Sequence, residues 1–173
     1  MKAIKSLWLG LALTGLLGAT TFAADANDVW LTTKAKIALL TADGVSVLDV
    51  NVDTVNGSVT LHGKVKTEAE KAKAATAVRG VEGVKSVNNL LQVVPDAFKD
   101  SVKASDESIK DRVQAALKSD TTVSGISVAS VNNGVVLLSG KAATLTEKLR
   151  AIELAWSASG VSRVASEIEV TGR

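Results

Sequence analysis

An internal repeat constrains this chain more than any other feature. The stretch NGSVTLHGKVKTEAEK, starting at Asn56, returns as NGVVLLSGKAATLTEK from Asn133. The offset of 77 residues carries Gly63 onto Gly140, Thr67 onto Thr144, Glu70 onto Glu147 and Gly83 onto Gly160. Upstream, Asp28, Leu31, Ala35 and Leu39 match Asp106, Ile109, Val113 and Leu117 at an offset of 78. Single-residue shifts are therefore expected in the intervening loop and strand. Duplication at this period makes each copy one small folding unit. The chain divides into residues 28–94 and 106–171, with Pro95–Ser105 as a linker that carries Phe98.

Both copies read alike. Asp28 and Asp106 suit helix N-caps, followed by apolar stripes Leu31/Ala35/Ala38/Leu39 and Ile109/Val113/Ala116/Leu117. Alternation then predicts a strand, through Leu48, Val50 and Val52 or Ile126 and Val128. Asn56-Gly57 and Asn133-Gly134 predict two-residue hairpin turns, whose central positions both need positive φ. Val59 and Leu61, or Val136 and Leu138, point inward from the return strand. Thr67-x-x-Glu70 and Thr144-x-x-Glu147 are capping boxes that open a second helix. Gly83 and Gly160 suit its C-terminal cap. The apolar runs Val84–Val94 and Val161–Val170 supply a third strand. The expected fold is α+β: αββαβ twice, each a small three-stranded mixed sheet covered on one face by two helices. A unit of this size buries only about 60% of its unfolded surface, so packing of one copy on the other is favoured.

The first 23 residues read as a cleavable leader. Lys2 and Lys5 form a positive head, Leu7–Leu17 an apolar run, and Thr21-Phe22-Ala23 a small-residue cleavage site. That run is shorter than the roughly 20 apolar residues of a membrane span. Without the leader the chain keeps 18 basic and 18 acidic residues. This balance gives no bulk attraction to nucleic acid, and no nucleic-acid partner is expected.

The V-N-G-S-V-T-L-H-G-K-V run from Val55, then T-E-A-E and G-V-E-G-V-K-S-V-N-N from Gly80, resembles the BON domain. N-G-V-V-L-L-S-G-K-A and G-V-S-R-V repeat the pattern in the second copy. The resemblance implies the αββαβ fold twice, a periplasmic location, a link to osmotic or envelope stress, and a role in binding phospholipid surfaces. One two-BON type is an outer-membrane lipoprotein. This chain has no Cys, so no thiol exists to carry a lipid.

The catalytic inventory is thin. With no Cys and one His, thiol chemistry and Cys-ligated metals are excluded. Gly57 to Gly63-Lys64 and Gly134 to Gly140-Lys141 imitate phosphate loops. Their spacing is one residue too long, and Val65 or Ala142 stands where Ser or Thr is needed. His62 follows inward-pointing Leu61 and is expected on the opposite, solvated strand face, and its counterpart Ser139 cannot replace an imidazole in catalysis or metal ligation. Asp49, Asn51 and Asp53 alternate on one strand face, against Gly125, Ser127 and Ala129, and metal binding is not expected. No enzyme activity, cofactor or small-molecule substrate is expected.

Comparing the copies isolates one candidate surface. Trp30, Thr33, Ile37 and Leu40 share a helix face beside the Leu31/Ala35 stripe, flanked by Lys34 and Lys36. Their counterparts are Ser108, Asp111, Ala115 and Lys118, an ordinary wet face. A Trp, aliphatics and lysines together suit an anionic phospholipid surface. The same patch could meet envelope or client proteins, or pack on the second copy or Phe98. Trp156 falls on the Leu145/Leu149/Ile152 stripe and is expected in the core.

Overall fold

The computed structural model describes residues 20–47 and 49–172. The leader expected over residues 1–23 falls mostly outside them, as does Leu48. The first unit runs α1 (Thr20–Leu40), β1 (Val50–Val55), β2 (Ser58–Val65), α2 (Glu68–Arg79), β3 (Ser86–Asn89) and β4 (Gln92–Val93). A 3-10 turn at Asp96–Phe98 leads into α3 (Lys99–Ser119), β5 (Ile126–Asn132), β6 (Val135–Ala142), α4 (Leu145–Ser157) and β7 (Arg163–Val170). The central strand of each sheet pairs antiparallel with its hairpin partner and parallel with the last strand. In the first unit that last strand is split into β3 and β4, both paired to β2. The split falls where the Asn89 side chain accepts from Leu91 N and donates to Lys71 O. The α+β, αββαβ reading therefore holds in both units.

The local signals act where the sequence puts them. Asn56 and Gly57 have φ of 53° and 81°, and Asn133 and Gly134 have 48° and 77°, as the hairpin turn requires. The hydroxyls of Thr67 and Thr144 accept from Glu70 N and Glu147 N. The two glutamates reach back to Lys66 N and Ala143 N. The extra residue in the second hairpin is a bulge between Val128 and Ser130. It restores the offset from 76 at Val50/Ile126 to 77 at the turns, so the loop before the strand shifts by two residues, not one.

Two expected caps are placed differently. Asp28 and Asp106 lie within helices that begin earlier, at Thr20 and Lys99. Instead of capping their own helices, they hold the hairpin turns. Asp28 accepts from Asn56 N and Gly57 N at 2.6 and 2.8 Å, and Asp106 from Asn133 N and Gly134 N at 2.9 and 3.0 Å. Gly80 and Ala158 are the C-caps of α2 and α4. Gly83 and Gly160 sit left-handed in the turns beyond, against Leu31 and Ile109 of the first helices.

Each helix pair covers one face of its sheet, over Leu31, Leu39, Val59, Leu61 and Val78 in one unit and Ile109, Leu117, Val136, Leu138 and Ala155 in the other. Alternation sends Thr60 and His62 to the opposite face of the first sheet, and Val135 and Leu137 to the opposite face of the second. All four are buried. The helix-free faces of the two sheets come together where Glu167 on β7 faces Thr60 and His62 on β2. The Lys64 ammonium on β2 crosses this junction to Asp106 at 2.8 Å, with both side chains largely buried.

Candidate functional site

The junction overturns the expectation for His62. The imidazole is only 7% exposed, because the second sheet covers the face that would otherwise be wet. Its Nε2 lies 2.9 Å from Asp53 Oδ2, while Asp49 pairs with Lys99 at 3.0 Å. The alternating carboxylates are thus split between two partners. Among the described residues no three His, Asp or Glu side chains gather where a metal ion could be held.

The His62 hydrogen bond holds the Asp53 carboxyl below its ordinary range. Backbone N–H donors, Ser124 first, do the same for Glu147. The Thr122 hydroxyl and then Arg150 take Asp120 down to about 2. Groups depressed in the folded state give stability that is present above their unfolded values and lost as pH falls through the folded ones. Stability should therefore decline from about pH 4 towards pH 2. Glu167, facing Thr60, Asp53 and His62 from β7, runs the other way. Burial pushes its carboxyl up, helped by the Asp53 charge, and its Oε1 has no hydrogen-bond partner. Its ionisation above the raised value opposes folding, so Glu167→Gln should raise the melting temperature at pH 7 by a few degrees. No gain at pH 7 would show that Glu167 is compensated.

The α1 surface is exposed. Trp30 is 61% accessible, and Val29, Ile37 and Leu40 are similarly open. The patch packs on neither the second unit nor Phe98, itself exposed, because the units join through their sheets. Buried Leu31, Ala35 and Leu39 fix the opposite side of α1 on β1 and β2, which turns Trp30 and Ile37 outward. Lys34 Nζ stands 5.8 Å from the Trp30 ring centroid, within reach of a cation–π contact. Lys36 lies on the other flank and lines a cleft of about 760 Å³ between the units, with Asp53, Lys141 and Glu167. A hollow of about 390 Å³ opens beside Trp30 and Lys34, bounded by the Asn56-Gly57 turn, Glu82 and Lys85. Val29 and Lys85 were not apparent from the sequence. Val29 could have been found from its seven-residue spacing to Lys36, whereas Lys85 arrives only through the third dimension.

Trp156 is also outside the core. It is 58% exposed, and Leu145 and Leu149 are 59% and 57% exposed. The face of α4 that meets the sheet carries Ala151 and Ala155. These small side chains let the helix lie close, Ile152 and Leu154 pack partly against the core, and Leu145, Leu149 and Trp156 turn outward.

The arrangement is a tandem pair of small α+β units. The chain belongs to the BON-domain family, whose model matches residues 27–95 and 105–172. It is 34% identical over 146 residues to the osmotically-inducible protein Y of Escherichia coli K12, covering 83% of this chain and 72% of that protein. Two solved structures of CdsD, a structural protein of the type III secretion system of Chlamydia trachomatis, are similar at 19% and 18% identity. They cover 81% of this chain, 60% and 64% of theirs, and have TM-scores of 0.32 and 0.33. No helix among the described residues is long and apolar enough to cross a membrane.

Proposed function

We propose that this is a non-enzymatic envelope protein of the periplasm, linked to osmotic stress, that associates weakly and reversibly with anionic phospholipid surfaces through the outer face of α1. The leader supports export, and the osmotically inducible relative supports the stress link. The observation that carries the membrane reading is Trp30, exposed on a helix face with Ile37 and Leu40, beneath the Lys34 ammonium. An indole and aliphatics on one side with lysines at the flank suit the headgroup boundary. Lys34 and Lys85 both line the hollow beside Trp30, and the Lys85 ammonium there donates to Asn56 O at 2.9 Å.

Magnitudes keep the association weak. Half-burial of Trp30, Ile37 and Leu40 contributes roughly 3–5 kcal/mol, and Lys34 and Lys36 about 1 kcal/mol each near an anionic surface. The sum corresponds to a dissociation constant from roughly a few hundred down to about ten micromolar. A chain without residues 1–23 and with Trp156→Phe keeps Trp30 as its one tryptophan. Its emission should shift to the blue with phosphatidylglycerol vesicles and stay fixed with phosphatidylcholine. An unmoved emission with both would sink the proposal.

A further inference from the structure

We propose that the outer face of α4 is a second docking surface, and that its occupant is an apolar segment of another polypeptide. Leu145, Leu149, Ile152 and Trp156 follow the four-three-four spacing of a single helix face. Three of them are more than half exposed, and Ile152 is half-buried at their centre. Leu145, Leu149 and Trp156 stand outside the core, and Ile152 packs only partly against it. Ala151 and Ala155 make the contact with the sheet, and α2, the equivalent helix, carries Glu68, Ala72 and Arg79 at the positions of Leu145, Leu149 and Trp156. A contiguous apolar stripe that contributes little to its own core marks an interaction surface.

Two observations select the occupant. First, the cations of α4 are held within the chain. Arg150 bonds Asp120 and Glu153 at 2.8 and 3.0 Å, and Lys148 donates to Ile168 O. Headgroups would find no free ammonium there, unlike Lys34 on α1. Second, one stripe of four side chains offers a few hundred Å², well under the roughly 800 Å² per partner of a stable dimer. Charge-balanced, narrow and apolar, the stripe matches a short helix or extended segment that contributes its own row of apolar anchors. The inference does not rest on membrane binding by α1.

Two tryptophans let the surfaces be read separately. In the chain without residues 1–23, which retains every core side chain from Leu31 onward, Trp30→Phe leaves Trp156 as the sole reporter. S-carboxymethylated insulin B chain, an unfolded apolar peptide without tryptophan, serves as the probe. Saturable blue-shifting of Trp156 is expected, weakened at least tenfold by Leu149→Glu. Position 149 is exposed, so the circular dichroism and melting temperature of that variant should match the parent. A Trp156 emission unmoved by the peptide would overturn the proposal. A shift with phosphatidylglycerol vesicles but not with peptide would assign the face to lipid. A shift that follows protein concentration alone, with dimers in sedimentation, would assign it to a second copy. Either of these also overturns it.

Discussion

Gly63→Ala is expected to cost about 4 kcal/mol and to unfold the first unit at moderate denaturant. Gly63 has φ of 123°, and a Cβ there would fall on the Asp49 carbonyl oxygen, which accepts from Lys64 N at 2.9 Å. Backbone strain of roughly 1–3 kcal/mol adds to an overpacking cost of similar size, and neither strand can yield without breaking the pairing. Gly140 repeats the geometry against the Gly125 carbonyl, so Gly140→Ala should cost as much. Gly57→Ala is the control. Its added Cβ meets only the flexible Lys85 side chain, and the loss should be nearer 1 kcal/mol. Urea unfolding of the three variants checks the order, and equal losses would contradict the close-approach explanation. The glycine before lysine is therefore kept by a crossing backbone, not by a phosphate.

Lys64→Met is expected to destabilise the chain by about 3 kcal/mol. It removes one partner of a largely buried ion pair and strands Asp106 at the junction. Asp106 keeps its two turn N–H donors, which limits the loss. The duplication supplies its own control. Lys141 and Asp28, the counterparts of Lys64 and Asp106, both line the cleft between the units. Lys141 is exposed and makes no ion pair among the described residues, so Lys141→Met should change stability by less than about 0.5 kcal/mol. Chemical denaturation followed by far-ultraviolet circular dichroism would separate the two. Equal effects would mean that the Lys64–Asp106 pair does not join the units.

What was legible in the sequence is what neighbours in the chain decide. The Asn-Gly turns, the threonine-glutamate boxes and the inward alternation of Val59/Leu61 and Val136/Leu138 each depend on a few consecutive residues, and each falls where expected. The misplacements share a different cause. Asp28 and Asp106 look like caps because their side chains accept N–H donors, and they do, but from a turn 28 or 27 residues away. His62 looks wet from its own unit and is dry because another sheet lies on it. Trp156 looks like core because its stripe has helical period. Period does not say which of two apolar faces turns inward, and alanine's fit against the sheet decides it. The apolar outer face of α1 stood out because a second copy of the same fold stood beside it for comparison.

Whether the α1 face binds anionic membrane is decided by flotation of the chain without residues 1–23 on lipid vesicles. Wild type and Trp30→Ala would be compared on phosphatidylglycerol and phosphatidylcholine. The prediction is flotation with phosphatidylglycerol alone, reduced at least fivefold by Trp30→Ala and by added salt. Equal flotation of both proteins, or none of either, would contradict it.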